Sequence, residues 1–176
     1  KAIALQGRLT SPGVDLFGLR LDDLAGQVAC GGSRFSSLGL TLERAVFAGG
    51  PVAGTFDVDF ERPGPFAHLA LKADGPRLRG VLAALDLPSP AFSASAHGEV
   101  SYEFPLNDAR RGVGSATLEL RALPPQATGE LPVDGTAVLR LVEGRLELET
   151  VEVAAAKQRI SLRGAYDLVG RQGELE

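Results

Sequence analysis

Apolar and polar residues alternate with a period of two along most of this chain, and no other feature of the sequence restricts its fold so strongly. In the segment Thr55–Glu61, polar residues separate Phe56, Val58 and Phe60. The same alternation recurs in three later segments: Glu99–Phe104, Ser115–Ala122 and Gln158–Leu168. Because successive side chains of an extended strand point to opposite faces of a sheet, the pattern predicts half-buried antiparallel strands.

Turn-forming residues interrupt the alternation about every 8–12 residues, which is typical of an all-β domain. The predicted turns lie at Ser11–Gly13, Gly31–Gly32, Gly49–Pro51, Pro63–Pro65, Asp74–Pro76, Pro88–Pro90, Asn107–Asp108, Pro124–Pro125, Asp134–Gly135 and Glu143–Gly144. We therefore expect roughly fourteen short, predominantly antiparallel strands. The apolar residues change parity between Leu148 and Val151, which predicts a β-bulge or a short turn near Glu149 and Thr150.

One segment departs from the alternation. Val81, Leu82 and Leu85 have helical spacing, so we predict one short helix over residues 80–87. No shift in composition marks an internal boundary, so residues 1–176 are predicted to form a single segment built of β repeats. The sequence contains no methionine and has strand-like residues at both ends, and we expect it to be a fragment of a larger protein.

Charge and composition argue against several classes of protein. The net charge is -4 and the charges are interspersed, whereas a nucleic-acid-binding domain would need a basic patch. No apolar run approaches the roughly 20 residues that a membrane-spanning helix requires. The single cysteine, Cys30, cannot form an internal disulfide. We predict no cofactor and no nucleic-acid partner.

The potentially reactive residues form no recognised catalytic or metal-binding pattern. His68 and His97 lack suitably spaced cysteine or acidic partners, so we predict that both are solvent-facing strand residues. Cys30 has no nearby histidine or lysine to activate its thiol, and no helix follows Gly112–Gly114 as a phosphate-binding loop requires. Carboxylates that alternate with apolar residues are interpreted as polar strand faces: Asp57, Asp59, Glu147, Glu149 and Glu152. The sequence predicts no catalytic residue, no metal site and no enzymatic activity.

The remaining question is what covers the apolar side of the strands, and the residues alone leave two alternatives open. A second sheet would give a closed β-sandwich with a structural or adhesin-like role. A curved, open-sided, taco-like sheet would instead leave an apolar groove for acyl chains, since burying a methylene contributes about 0.8 kcal/mol under either cover. The predicted groove lining comprises Leu38, Leu40, Leu42, Phe56, Val58, Phe60, Leu69, Leu71, Val100, Tyr102, Phe104, Leu118, Leu120, Leu139, Leu141, Leu146, Leu148, Ile160, Leu162, Tyr166 and Leu168.

Several stretches resemble the repeats of the AsmA/TamB superfamily. In Leu40–Val58, a strand is followed by the Gly49-Gly50 turn and by a second strand that begins with Gly54, a small residue and alternating apolar residues. Val133–Leu148 and Arg159–Leu168 are similar to the same repeat, in which glycine precedes alternating apolar positions. The resemblance covers most of the chain, from about Leu38 to Leu168.

This resemblance implies a periplasmic segment of an envelope protein that is anchored in the inner membrane of a diderm bacterium. The family's β repeats form an apolar groove implicated in moving phospholipid between the inner and outer membranes. Phospholipid acyl chains and neighbouring repeats of the parent chain are therefore the expected partners. TamB-like members also act with an outer-membrane β-barrel protein, so a scaffold for outer-membrane protein assembly or translocation is the alternative. The family has no catalytic residues to carry over.

Overall fold

Each of these alternating segments forms a strand in the computed structural model, which describes residues 4–16, 19–32, 36–61, 64–155, 158–168, 170 and 172–175. The strands are β1 Leu5–Leu16, β2 Leu19–Gly31, β3 Ser37–Phe47, β4 Gly50–Asp59, β5 Phe66–Arg77, β6 Phe92–Pro105, β7 Val113–Ala122, β8 Leu131–Pro132, β9 Asp134–Val142, β10 Arg145–Ala155, β11 Gln158–Asp167 and β12 Gln172–Leu175. The helix α1 spans Leu78–Ala84, and a 3₁₀ turn spans Ala109–Arg111.

The strands form one open sheet in which sequence neighbours pair antiparallel. Its order is β1-β2-β3-β4-β5-β6-β7-β9-β10-β11-β12, and only the two-residue β8 leaves this path to pair parallel with β6. Strands hold 73% of the residues and the sheet does not close on itself. The predicted all-β, antiparallel, open-sided fold class is therefore confirmed.

The strands are fewer and longer than predicted. There are twelve among the described residues, and ten of them contain nine or more residues, against a typical mean of about 5–6. Three predicted turns, Ser11–Gly13, Asp74–Pro76 and Asp134–Gly135, lie inside strands. Pro12 is tolerated because β1 is an edge strand, and the register shift between Asp74 and Arg77 absorbs Pro76 as a bulge.

Glycines allow every second strand of the sheet to bend. They lie on the same face of β2, β4, β6, β9 and β11: Gly26, Gly54, Gly98, Gly135 and Gly164. A Cβ atom on Gly54 or Gly98 would lie 2.0 Å from a carbonyl oxygen of the next strand, and their φ angles are 155° and 148°. Only glycine fits this close approach and conformation.

On β3 and β10, which lie between glycine-bearing strands, β-bulges take the place of the glycines. The register shifts between Leu42 and Ala45 in β3, and between Leu148 and Thr150 in β10. A bulge or a short turn was predicted near Glu149, and the second shift shows that it is a bulge. Because glycine kinks and bulges both bend strands, the two devices together give a line of bends across the sheet.

Helix α1 confirms the one predicted helix, although it begins two residues earlier and ends three residues earlier than the range 80–87. The helix follows β5 directly, and no side chain caps its N-terminus. Beyond its C-terminus, Asp86 has a φ of 55°, which is incompatible with continuing the helix. In the part of the chain that the structure describes, no helix is long and apolar enough to cross a bilayer.

Candidate functional site

One face of the sheet is apolar across most of its width. Directly paired residues of antiparallel strands project to the same side. One unbroken row of paired residues crosses eight strands through Leu42, Gly54, Leu71, Val100, Ala116, Leu139, Leu148 and Gly164. The adjacent row contains Leu40, Phe56, Leu69, Tyr102, Gly114, Leu141, Leu146 and Tyr166. We call this side the apolar face and the opposite side the polar face.

The register brings the predicted lining residues together. All of them except Phe60 and Leu168 occupy paired positions on the apolar face. Phe60 lies just beyond β4 and is 48% exposed, and Leu168 lies in the turn after β11. The sequence could assign faces only within single strands, and the register now joins those faces across the sheet.

Four of the predicted lining residues belong to the protein's own core. Leu42, Val58, Phe104 and Leu120 are only 3–5% exposed, so their side chains are already covered by protein. They are not accessible to a guest, and to this extent the predicted lining is too broad. Leu42 packs among side chains of neighbouring strands, with Leu21 and Leu24 of β2 and Val52 of β4. The cover of Val58, Phe104 and Leu120 includes chain segments that fold over the two ends of the strands.

At one end of the strands, α1 and the segment before β9 cover the apolar face. Leu120 and Val153 pack with the fully buried Val133 and with Leu78 of α1. Leu120 and Val153 are both paired with Gly135, whose missing side chain leaves the space between them open. The glycine therefore contributes to packing as well as to the bend.

A charged group ties these two covering segments together. The Glu130 carboxylate accepts hydrogen bonds from the backbone N–H groups of Gln126 (2.8 Å) and Ala127 (3.2 Å) and from Arg79 of α1 (2.9 Å). These bonds, that from Gln126 most of all, lower the pKa of Glu130 below its usual value. An ionised Glu130 thus holds α1 against the connection between β7 and β9.

At the other end of β5 to β7, the segment that follows β6 covers the face. Phe104 packs with Val58 and Ala67, and its ring stacks on Tyr102 with 5.0 Å between ring centroids. The Tyr102 hydroxyl donates a hydrogen bond to the carbonyl oxygen of Ala109. Burial of this phenol raises its pKa.

Between these covered ends, a strip of the apolar face remains partly accessible. Its residues are half-buried and, among the described residues, lie outside the three clusters of buried side chains: Leu40, Leu69, Val100, Leu139, Leu141, Leu146, Leu148, Leu162 and Tyr166. They come from six strands between β3 and β11, and we call them the open strip. All nine were predicted as lining residues.

The two recesses found on the surface are bounded mainly by residues of the polar face. The larger, of about 660 Å³, is lined by residues including Gln6, Gly39, Asp57, His68 and Glu103, which form one paired row. The second, of about 510 Å³, adjoins it at His68 and Glu103. Leu139 is the one open-strip residue that lines either recess, and it borders the second. The strip as a whole is an extended surface and not an enclosed pocket.

The two histidines have different surroundings in the structure. His68 is exposed on the polar face, as predicted. His97 also lies on the polar face, but its side chain is only 18% exposed and is bonded to Ser95 and Asp74. Asp74 lies 23 positions before His97, so only the β5–β6 register brings them together. No sequence motif could have found this contact.

The other potentially reactive residues considered from the sequence do not come together in a site. Cys30 is a half-buried, free thiol on the apolar face, and Glu149 and Glu152 are exposed. Gly112 is followed by β7 and not by a helix. Over the described ranges, no group of three or more histidine, cysteine or acidic side chains could hold a metal ion.

Comparisons of this chain with family models, curated proteins and solved structures returned no match. The resemblance to the AsmA/TamB superfamily thus stays a prediction from the sequence motifs.

Proposed function

We propose that the open strip carries the acyl chains of phospholipids, and that the chain is a periplasmic segment of an envelope protein that conducts lipid between two membranes. The observation that supports this most is that the open strip, between the covered ends of the apolar face, remains partly accessible. The described residues form one open sheet, so a second sheet does not seal that face as a β-sandwich would.

The length of the strip suits a conduit better than a pocket for one lipid. It runs across eight strands from β3 to β11, and seven spacings of about 4.8 Å give about 34 Å. The hydrocarbon core of a bilayer is about 30 Å thick, so a single tail reaches about 15 Å. The strip therefore exceeds twice the length of one tail, and an aliphatic lining holds tails without selecting a headgroup.

A scaffold for outer-membrane protein assembly is a second candidate, because the sheet has edges that can accept strands. Strand β12 pairs only with Gly164–Asp167, so the described residues leave the rest of the outer edge of β11 unpaired. Strand β1 forms the other edge. Neighbouring repeats of a parent chain or a β-barrel partner could add strands at either edge.

Substitutions on the two faces of one strand test the lipid proposal. In β9, Leu139 belongs to the open strip, and the adjacent Val138 is half-buried on the polar face, paired with Thr117 and Thr150. We expect Leu139→Asp to lower the amount of bound phospholipid at least tenfold. Losing contact with two methylenes, at about 0.8 kcal/mol each, is enough for a tenfold change in affinity. Val138→Asp, the matched control, should retain lipid.

Bound lipid is measured by native mass spectrometry and organic extraction after the chain is mixed with phosphatidylethanolamine and phosphatidylglycerol vesicles. Leu120 does not serve this test, because its side chain is 4% exposed and a charge there would unfold the core. Absence of phospholipid from the unsubstituted chain, or equal loss in both variants at equal melting temperatures, would refute the proposal.

A further inference from the structure

A chemically capable cluster lies on the polar face, away from the open strip. Ser95 and His97 alternate along β6 and project to the same side, and Asp74 of β5 is paired directly with His97. The His97 Nδ1 atom lies 2.7 Å from the Asp74 Oδ1 atom, and the Ser95 Oγ atom lies 3.0 Å from His97 Nε2. Three side chains from two strands thus form one chain of hydrogen bonds.

The order of donors follows from the chemistry of the groups. An ionised carboxylate only accepts, so in the neutral imidazole the Nδ1 atom carries the hydrogen and donates to Asp74. The Nε2 lone pair then accepts from the Ser95 hydroxyl. The carbonyl oxygen of Arg121 is a second possible acceptor for Ser95, but at 3.4 Å it forms the longer contact. This is the hydrogen-bond order of a Ser-His-Asp triad.

The bulge in β5 shapes the surroundings of the cluster. Gly75 has a φ of 104°, which favours glycine, and a Cβ atom there would make an ordinary contact of 3.8 Å with His97 Cε1. The register shift after Asp74 pairs Arg77 with Ser95, and Arg121 of β7 pairs with Ser95 from the other side. The Arg121 guanidinium is itself paired with the Glu119 carboxylate, at 3.1 Å (Nε to Oε1) and 3.0 Å (Nη2 to Oε2).

We propose that Ser95 is a nucleophile for acyl transfer from carboxylic esters, an activity separate from lipid conduction. The Ser95 Oγ atom bonds to the carbonyl carbon while its proton passes to His97 Nε2, and Asp74 positions the ring and balances its charge. The proton then passes to the alkoxide as the ester C–O bond breaks. A water molecule repeats the two steps on the acyl-serine, which releases the carboxylic acid and restores the hydroxyl.

A fluorophosphonate probe tests this nucleophile directly, because fluoride leaves as the serine oxygen bonds to phosphorus. The whole chain is incubated with the probe, and peptide mass spectrometry locates the modified serine. Ser101 provides a comparison on the same strand and face, since its Oγ atom lies 3.4 Å from His68 Nε2. Ser101 is exposed whereas Ser95 is only 6% exposed, so preferential labelling of Ser95 would not come from access to the probe. We expect modification at Ser95 and none at Ser101.

Substitutions in the cluster distinguish activation of the Ser95 hydroxyl from a purely structural role of these residues. Ser95→Ala should abolish labelling, and His97→Gln should slow it at least 100-fold, which is the low end for a general base. Asp74 is 73% exposed, so Asp74→Asn should spare the fold and still slow labelling about tenfold. Val138→Asp, which lies outside both this cluster and the open strip, should leave labelling unchanged.

Three results would overturn the assignment: no labelling of the unsubstituted chain, equal labelling of Ser95 and Ser101, or a rate that His97→Gln and Asp74→Asn leave unchanged. Melting temperatures measured in parallel identify any variant that fails through unfolding. In that case the Asp74→Asn rate decides, because this substitution is at the surface.

Discussion

Replacing Gly98 by alanine should destabilise the sheet far more than the added methyl group suggests. The new Cβ atom would lie 2.0 Å from the Thr117 carbonyl oxygen and 3.0 Å from Leu118 Cα, so two central strands would have to separate. Such overpacking costs about 1–3 kcal/mol. A non-glycine residue at a φ of 148° adds strain of about 1–3 kcal/mol. We expect a total loss of about 4 kcal/mol.

Two further glycines separate these contributions. Gly135→Ala brings its Cβ within 2.0 Å of the Glu152 carbonyl oxygen, but its backbone lies outside the left-handed region, so only the overpacking cost of about 1–3 kcal/mol should remain. Gly7 lies on the same face in the edge strand β1 with nothing within 4 Å. Gly7→Ala should therefore be neutral, or stabilise by up to about 1 kcal/mol through the unfolded state.

The assay is thermal and urea unfolding followed by circular dichroism. For a domain of this size each kcal/mol shifts the melting temperature by about 2–4 °C, so Gly98→Ala should melt about 8–16 °C lower than the unsubstituted chain. Gly135→Ala should fall between Gly98→Ala and Gly7→Ala. A loss below about 1 kcal/mol at Gly98, or equal effects at Gly98 and Gly7, would refute the view that close strand approach makes these glycines necessary.

Two other predictions concern the ends of the strands. Phe104→Ala should lower the free energy of unfolding by about 3–5 kcal/mol, because the ring is 3% exposed. Phe60→Ala, at a site that is 48% exposed, should lower it far less. Urea unfolding compares the two variants, and similar losses of stability would contradict the assigned core. The lowered pKa of Glu130 stabilises the fold above the ordinary glutamate pKa and is lost as pH falls through the folded-state pKa. Melting temperatures of the unsubstituted chain and Glu130→Gln should thus differ at pH 7 and converge in acid, and a constant difference would refute this role.

The sequence predicted those features that depend on neighbouring residues. Alternation assigned the faces of Phe56 and Val58 correctly, because side-chain direction in a strand is fixed by period two. The parity change near Glu149 located the β10 bulge for the same reason. The Glu143–Gly144 turn was predicted because a hairpin turn with both residues at positive φ favours glycine, and their φ angles are 50° and 82°.

Other features depend on residues far apart in the sequence and were not predictable from one chain. Glycine favours both turns and strand bends, so Gly135 was predicted as part of a turn although it lies within β9. The covered state of Leu120 depends on Val133 and α1, which no local pattern connects to β7. The contact of Asp74 with His97 depends on a register that a slip of one residue would destroy.

The open strip supports one of the two proposed roles, lipid conduction and strand assembly, more than the other. The nine residues of the open strip are half-buried, and an apolar surface that crosses several strands generally marks a site that something else covers. Strands that add at the edges of β1 or β11 would lengthen the sheet, and they would lengthen its apolar face with it. Edge pairing alone therefore increases the uncovered area, whereas a hydrocarbon guest lying on the face removes it from water. This asymmetry favours the lipid conduit over an assembly scaffold that acts only through its edges.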